Sequence, residues 1–152
     1  MAEHQTLELE RFLPYRLSVL SNRLSNAIAR CYDSRFQLSV TEWRVIAVLG
    51  RFPGLSANEV AERTAMDKVA VSRAVSGLLE SGRLQRDLHE ADRRRSVLEL
   101  SEAGYAIFDS VVPLALAYEQ ALLEALEPQE RDTLLALLDK LDRNSHAAER
   151  VL

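Results

Sequence analysis

One cysteine and three histidines are all that 152 residues offer of thiol and imidazole side chains, and there is a single tryptophan. Cys31 stands alone, so no internal disulfide can close and no thiolate cluster can hold a metal, in keeping with a reducing compartment. His4, His89 and His146 are far apart, and HExxH and CxxC spacings, a Gly-rich phosphate loop and a nucleophile elbow are all missing. An enzyme is therefore not expected, and no metal or cofactor is called for. Long apolar runs are also lacking. The longest, in VVPLALAY from Val111, falls far short of the ~18 residues of a membrane span, and the opening MAEHQTLELERF lacks the basic-then-apolar order of a signal peptide. A cytoplasmic protein of one domain, without membrane attachment, internal repeats or low-complexity linkers, is the expectation.

What is present is an uneven distribution of charge. The formal net charge is −4, yet residues 63–95 hold eight basic against five acidic side chains, while residues 96–152 hold four against eleven. A basic segment on an otherwise acidic chain either grips an anionic partner or is simply a solvated face.

Apolar residues Leu13, Leu17, Leu20, Leu24, Ala27 and Cys31 recur at steps of four and three, which predicts one long amphipathic helix over residues 11–36. Ser39 and Glu42 have the spacing of a capping box ahead of Trp43, Val45, Ile46 and Leu49, and Ser56 and Glu59 repeat it ahead of a short helix over residues 57–64. Asp67 then offers an N-cap and Gly82 a left-handed C-terminal cap for a fourth helix. Its apolar positions Val71, Ala74, Val75 and Leu78 share one side, leaving Lys68, Val69, Ala70, Ser72, Arg73 and Ser76 on the other. Two short helices joined by a tight turn, the second presenting Lys, Ser and Arg, form an arrangement that can enter a DNA major groove.

After Gly82 the period shortens to two, in Leu84 and Leu88 and again in Leu98 and Leu100, predicting a hairpin whose seven-residue tip, His89 to Arg95, carries three consecutive arginines. Ser101 caps a following helix in which Pro113 removes one backbone donor, and Pro128 opens a last one with Leu134, Leu137, Leu138 and Leu141 on one face. The helix from Ser101 is apolar on more than one side, with Ile107, Val112, Leu116 and Leu123 beside its main stripe. That predicts packing against a partner subunit or burial within the chain.

The stretches LSVTEWRVIAVL (38–49), SANEVAERTAMDKVAVSRAVSGLLESGRLQR (56–86) and DRRRSVLELSEAG (92–104), in this order and spacing, resemble the multiple-antibiotic-resistance regulator (MarR) family of bacterial winged-helix transcription factors. The resemblance covers nearly the whole chain. It implies a mainly α fold with a small β-hairpin wing: a single domain over residues 1–152, with dimerisation helices at 11–36 and 101–152 flanking a winged helix-turn-helix lobe at 39–100. It also implies a homodimer on a pseudo-palindromic DNA operator, most simply as a repressor. Phosphate contacts would fall to Ser56, Asn58, Lys68 and Arg86, and base reading to Lys68, Ser72, Arg73 and Ser76, with Val69 and Ala70 touching thymine methyls. The family commonly has hydroxyl residues where this chain has Val69-Ala70, which shifts weight from hydrogen bonds to apolar contact and DNA shape. Arg73 has an alternative role, an ion pair with Asp67 or a neighbouring acid. At the wing the resemblance assigns Arg94 to the minor groove with Asp92 aiming its guanidinium, and Arg93 and Arg95 to phosphates or to pairing with Asp87 and Glu90.

Regulators of this family respond to small phenolic or other aromatic acids held between the dimer helices and the lobe. Tyr15, Arg16, Arg23, Tyr32 and Trp43 are the candidate lining residues, with Trp43 as plain core and Arg16 as a surface charge the alternatives. Two other readings remain open: a redox-sensing repressor using Cys31, which has no resolving partner in the chain, and a helical dimer acting through protein partners without DNA.

Overall fold

The computed structural model describes residues 3–89 and 92–152, with the backbone alone given at 88, 89 and 92–95. Seven α-helices and one hairpin follow in the order α1 (Leu13–Ala29), α2 (Asp33–Phe36), α3 (Val40–Arg51), α4 (Ala57–Thr64), α5 (Lys68–Glu80), β1 (Leu84–His89), β2 (Asp92–Leu100), α6 (Glu102–Leu123) and α7 (Pro128–Ala148). The fold is mainly α with a two-stranded wing, as expected. The chain forms two compact units, residues 1–115 and 116–152.

The first unit holds the core. Tyr32 and Leu38, Val45, Ile46 and Leu49 of α3, Val60 and Ala61 of α4, Val71, Ala74, Val75 and Leu78 of α5, Leu84, Leu98 and Leu100 of the wing, and Ile107 and Val111 of α6 make one buried cluster. Each helix contributes the apolar stripe that its 3.6-residue period defines. Both anticipated capping boxes are formed: the Ser39 hydroxyl accepts from the Glu42 N–H at 3.1 Å and Ser56 from Glu59 at 3.2 Å, with the carboxylates returning the bonds. Gly82, at φ +77°, ends α5 in a Schellman motif: its N–H donates to the Leu79 carbonyl, and the Arg83 N–H to that of Leu78.

Two sequence expectations need correction. The first helix does not run to Phe36; it stops at Ala29, and Arg30, Cys31 and Tyr32 bond back only three residues. The apolar period continues through this stretch, but Tyr32 is drawn into the core, 1% exposed, where its ring stacks on Trp43 at 5.5 Å. The gain from burying one large aromatic outweighs the few helical hydrogen bonds given up. Nor is the wing tip seven residues long. β1 reaches His89 and β2 starts at Asp92, with a register shift after the Leu88–Ser96 pair. The regular ladder ends at the Leu88–Ser96 pair and resumes only at His89–Asp92, so the arginines Arg93 to Arg95 enter the wing as an irregularity in β2 that no hydrophobic alternation announces.

Helix α6 continues through Pro113. By length and composition it could cross a bilayer. Its first half is nonetheless part of the core through Gly104, Ile107 and Val111, and it carries Asp109 and Glu119. Of the second expected apolar face, Ile107 is thus buried within the chain while Leu116 is exposed, as is neighbouring Leu114. On α1, Leu13, Leu17 and Leu20 are 48, 42 and 50% exposed. In the second unit, α7 begins with the Glu130 carboxylate accepting from the Glu127 N–H, and Leu134, Leu135, Leu137, Leu138 and Leu141 are all exposed.

The turn between α4 and α5 is closed by Ala65 at φ +53°, an unfavourable left-handed conformation for a residue with a Cβ. Its side chain is exposed. Ala65→Gly should therefore raise stability by about 0.5–1 kcal/mol, with the relief of strain partly offset by the greater freedom of the unfolded chain. A urea melt of the two proteins checks this.

Candidate nucleic-acid interface

The α4–turn–α5 unit presents one polar face. Asp67 caps α5, its carboxylate accepting from the Ala70 N–H at 2.9 Å, and the buried Val71, Ala74, Val75 and Leu78 fix the helix's rotation. Lys68, Val69, Ser72, Arg73 and Ser76 are consequently exposed and Ala70 half-buried. Val69 is 57% exposed, an apolar side chain that nothing in the chain covers. Helix α5 begins with Lys68 and, like α1, has no acid in its first turn, the Asp67 carboxylate standing at that end as the cap. The Asp67 carboxylate offsets the cost of a cation at the positive end of the dipole, so Lys68 stays exposed at the turn beside a satisfied helix start.

Arg73 forms no ion pair with Asp67 or any other acid among the described residues. It lines a hollow of about 400 Å³ with Ser39, Thr41, Glu42, Ala70 and Ala74, at the N-terminus of α3. Thr41 and Ser39 thus join the candidate face; the capping box locates their helix start in the sequence, but only the tertiary packing brings it beside α5. Ser56 is half-buried and uses its oxygen in the cap, leaving its hydroxyl hydrogen free to donate; Asn58 and Arg86 are exposed. The wing is tied to the lobe at its base. Leu98 donates to the Leu55 carbonyl at 2.8 Å and accepts from the Gly54 N–H at 3.0 Å. The backbones of Asp92, Arg93, Arg94 and Arg95 belong to β2; their side chains, like Glu90 altogether, lie outside the described residues.

The five expected ligand-lining residues fall in two places. Tyr15, Arg16 and Arg23 line a shallow groove along α1 with Leu13, Leu17 and Leu20. Tyr32 and Trp43 instead wall a small cavity of about 130 Å³ with Ser25, Ile28, Val40 and Arg44. On α1, Arg16 and Ile28 are twelve residues apart, roughly 18 Å along the axis. Arg44 is the residue the sequence reading missed: its Nη2 donates to the Ser25 hydroxyl at 2.7 Å, a bond across nineteen residues that no local pattern announces. Burial pushes the Tyr32 phenol above its ordinary pKa, with Arg44 opposing and Asp33 and Cys31 adding, so the ring keeps its proton at neutral pH. Trp43 also meets Phe108 of α6 at 6.4 Å, so it is core and cavity wall together. Cys31 is half-buried against the core. No cluster of metal-binding side chains occurs among the described residues.

The model of the MarR family matches residues 36–95, the span from the end of α2 into the wing. Over 102 residues the chain is 30% identical to the HTH-type transcriptional regulator BilQ of Clostridium symbiosum, covering 67% of this chain and 71% of that one. Among solved structures, a MarR/EmrR family transcriptional regulator from Acinetobacter sp. aligns with a TM-score of 0.84 at 30% identity, over 93% of this chain and 99% of that one. The transcriptional repressor CouR, bound to a 23-mer DNA duplex, aligns with a TM-score of 0.75 at 25% identity, over 93% and 99%.

Proposed function

The chain belongs to the MarR family of DNA-binding transcriptional regulators, and from that premise we propose that it is a cytoplasmic repressor acting as a homodimer on a pseudo-palindromic operator and released by a small aromatic acid. The observation that carries the reading is the face of α5: a helix pinned by its buried side, with Lys68, Val69, Ser72, Arg73 and Ser76 left to solvent. Two dimer-related copies of α5 would lie in successive major grooves about ten base pairs apart. Lys68, Ser56, Asn58 and Arg86 would hold phosphates, Arg73 and the serines would read base edges, and Arg94 would enter the flanking minor groove, aimed by Asp92. Arg93 and Arg95 would add phosphate contacts. CouR, whose structure is with a duplex, supports the choice of repressor.

Dimerisation is supported by the exposed leucines. Those of α1 and, separately, those of α7 form apolar stripes larger than scattered surface residues make. The fitting domain plan is residues 39–100 as the DNA lobe and residues 11–36 and 101–152 as the dimer helices. A mobility-shift titration with a duplex from the protein's own promoter tests the function. Retardation that is lost with a scrambled duplex and weakens steeply with salt supports it; equal binding to both duplexes removes the specific-operator reading.

For the effector, the Tyr32–Trp43 cavity is favoured over the α1 groove. Its walls pair two stacked aromatic rings with the Arg44 cation, so a ring and a carboxylate would each meet a complementary group. An aromatic carboxylate at a hundred times its Kd should stabilise the protein by about 2.7 kcal/mol, and Arg44→Gln should abolish the effect. Thermal shift against a panel of aromatic carboxylates reads this out, and no stabilisation by any of them removes the aromatic-acid reading.

A further inference from the structure

Among the described residues, two side-chain hydrogen bonds tie the α1–α2 segment to the lobe. One is Arg44 to Ser25, at the cavity wall. The other is partly buried and spans forty-seven residues: Arg83 Nη2 donates to the Phe36 carbonyl at 2.6 Å. Each end of this second bond sits on a structurally committed point.

Arg83 is where α5 hands over to β1. Its N–H closes the C-terminal cap of α5 on Leu78 at 2.9 Å, and its carbonyl accepts from the Ser101 N–H at 3.1 Å. The Ser101 hydroxyl donates to the Gly82 carbonyl at 2.6 Å, and Gly104 lies directly against the Arg83 carbonyl. The end of α5, both strands of the wing at their base and the start of α6 thus converge on one residue.

Phe36 is the last residue of α2, and its N–H donates to the Tyr32 carbonyl at 3.0 Å. Tyr32 is the cavity wall stacked on Trp43. The next residue, Gln37, has φ +54°, a left-handed conformation for a side-chain-bearing residue that only surrounding contacts hold in place. A continuous set of contacts therefore runs from the cavity through Tyr32, the single turn of α2 and the Phe36 carbonyl to Arg83, and from there to the elements that face DNA.

The geometry points to Arg83 as a coupling residue: the state of the Tyr32–Trp43 cavity and the engagement of α5 and the wing with DNA are linked through the Arg83–Phe36 bond. This rests on the reading of α5 and the wing as a DNA interface, and it holds whatever molecule occupies the cavity. Linkage is reciprocal, so a cavity that influences DNA binding is itself altered by DNA. Trp43 is the sole tryptophan of the chain, and its emission reports on the cavity without any effector in hand.

The experiment titrates the full-length protein with fluorescein-labelled promoter duplex, reading anisotropy for binding, and with unlabelled duplex, reading Trp43 emission for the cavity. Wild type should show a saturable emission change tracking the anisotropy. Arg83→Met should bind with an affinity within about threefold of wild type, below the smallest usual coupling factor, yet lose most of the emission change. Arg83→Lys, which keeps a cationic donor on a long stem, should recover it. A full emission change in Arg83→Met, or binding by wild type with no emission change, overturns the coupling. Should Arg83→Met fail a circular-dichroism check of folding, Arg83→Gln replaces it with the same outcomes. Absence of DNA binding by wild type would strike the DNA-interface reading itself, and this proposal with it.

Discussion

Arg94→Ala is expected to weaken operator binding by thirtyfold or more while leaving the melting temperature unchanged. One arginine at a nucleic-acid site contributes about 1–3 kcal/mol, and a symmetric dimer loses two of them at once, about 2–6 kcal/mol in total. The position follows from the wing signature DRRRSVLEL on a strand whose base is clamped to the lobe by the Leu55–Leu98 hydrogen bonds. A narrow A·T-rich minor groove concentrates negative potential, so an arginine there contributes more than one meeting an open phosphate. The loss should accordingly be largest on operators with A·T-rich flanks and smaller on G·C-rich ones. Asp92→Ala should act in the same direction and more weakly, since it leaves the guanidinium in place but unaimed. Wild-type affinity of Arg94→Ala in an anisotropy titration removes the wing assignment.

Gly104→Ala is expected to destabilise the protein by about 3 kcal/mol, at the upper end of what overpacking usually costs, or roughly 6–12 °C in Tm. A Cβ at this position would run into the carbonyl oxygen of Arg83 and approach Leu100 Cβ at 3.3 Å. The main obstacle is backbone, and that backbone is already fixed by the cap of α5 and by Ser101. Relief would require shifting α6 away from the base of the wing. Gly77 provides the contrast: the atom a Cβ there would meet is in a side chain, the Glu42 carboxylate at 3.3 Å, which also serves the capping box of α3. Gly77→Ala inside α5 should therefore change stability by less than about 1 kcal/mol, the better helix propensity of alanine offsetting the displacement of Glu42. A thermal melt of the two variants separates a packing requirement at residue 104 from a general dislike of alanine near the lobe.

What could be read from the sequence was whatever is chemically local. Capping boxes, the Asp67 cap and the Gly82 terminator depend on residues three or four apart, and each occurs where expected. The exposed face of α5 followed because a helix's period is fixed once its buried side is known. Three things resisted. The apolar period of α1 continued past its true end, because Tyr32 leaves the helix for a tertiary reason, its stack on Trp43. The wing strands outran their hydrophobic alternation through a register shift beyond the Leu88–Ser96 pair, which no side-chain period encodes. Arg44, Arg83 and Thr41 went unnoticed because their partners lie nineteen, forty-seven and about thirty residues away in sequence. One signal for the interface was present and local: Lys68 and Arg73 on the side of α5 opposite its buried stripe.

The division of charge takes on meaning in this setting. The basic stretch 63–95 holds α5 and the wing, the parts proposed to meet DNA, while the acidic residues 96–152 supply α6 and α7. A protein acidic overall can in this way present one attractive face and repel the polyanion elsewhere.

Two copies of this chain are proposed to set their α5 helices into successive major grooves. Hydroxyl-radical footprinting on the protein's own promoter measures this placement most directly. Two symmetric protected patches centred about ten base pairs apart are expected, with further protection in the flanking minor grooves that disappears in Arg94→Ala. A single patch, or uniform protection without a repeat, would contradict it.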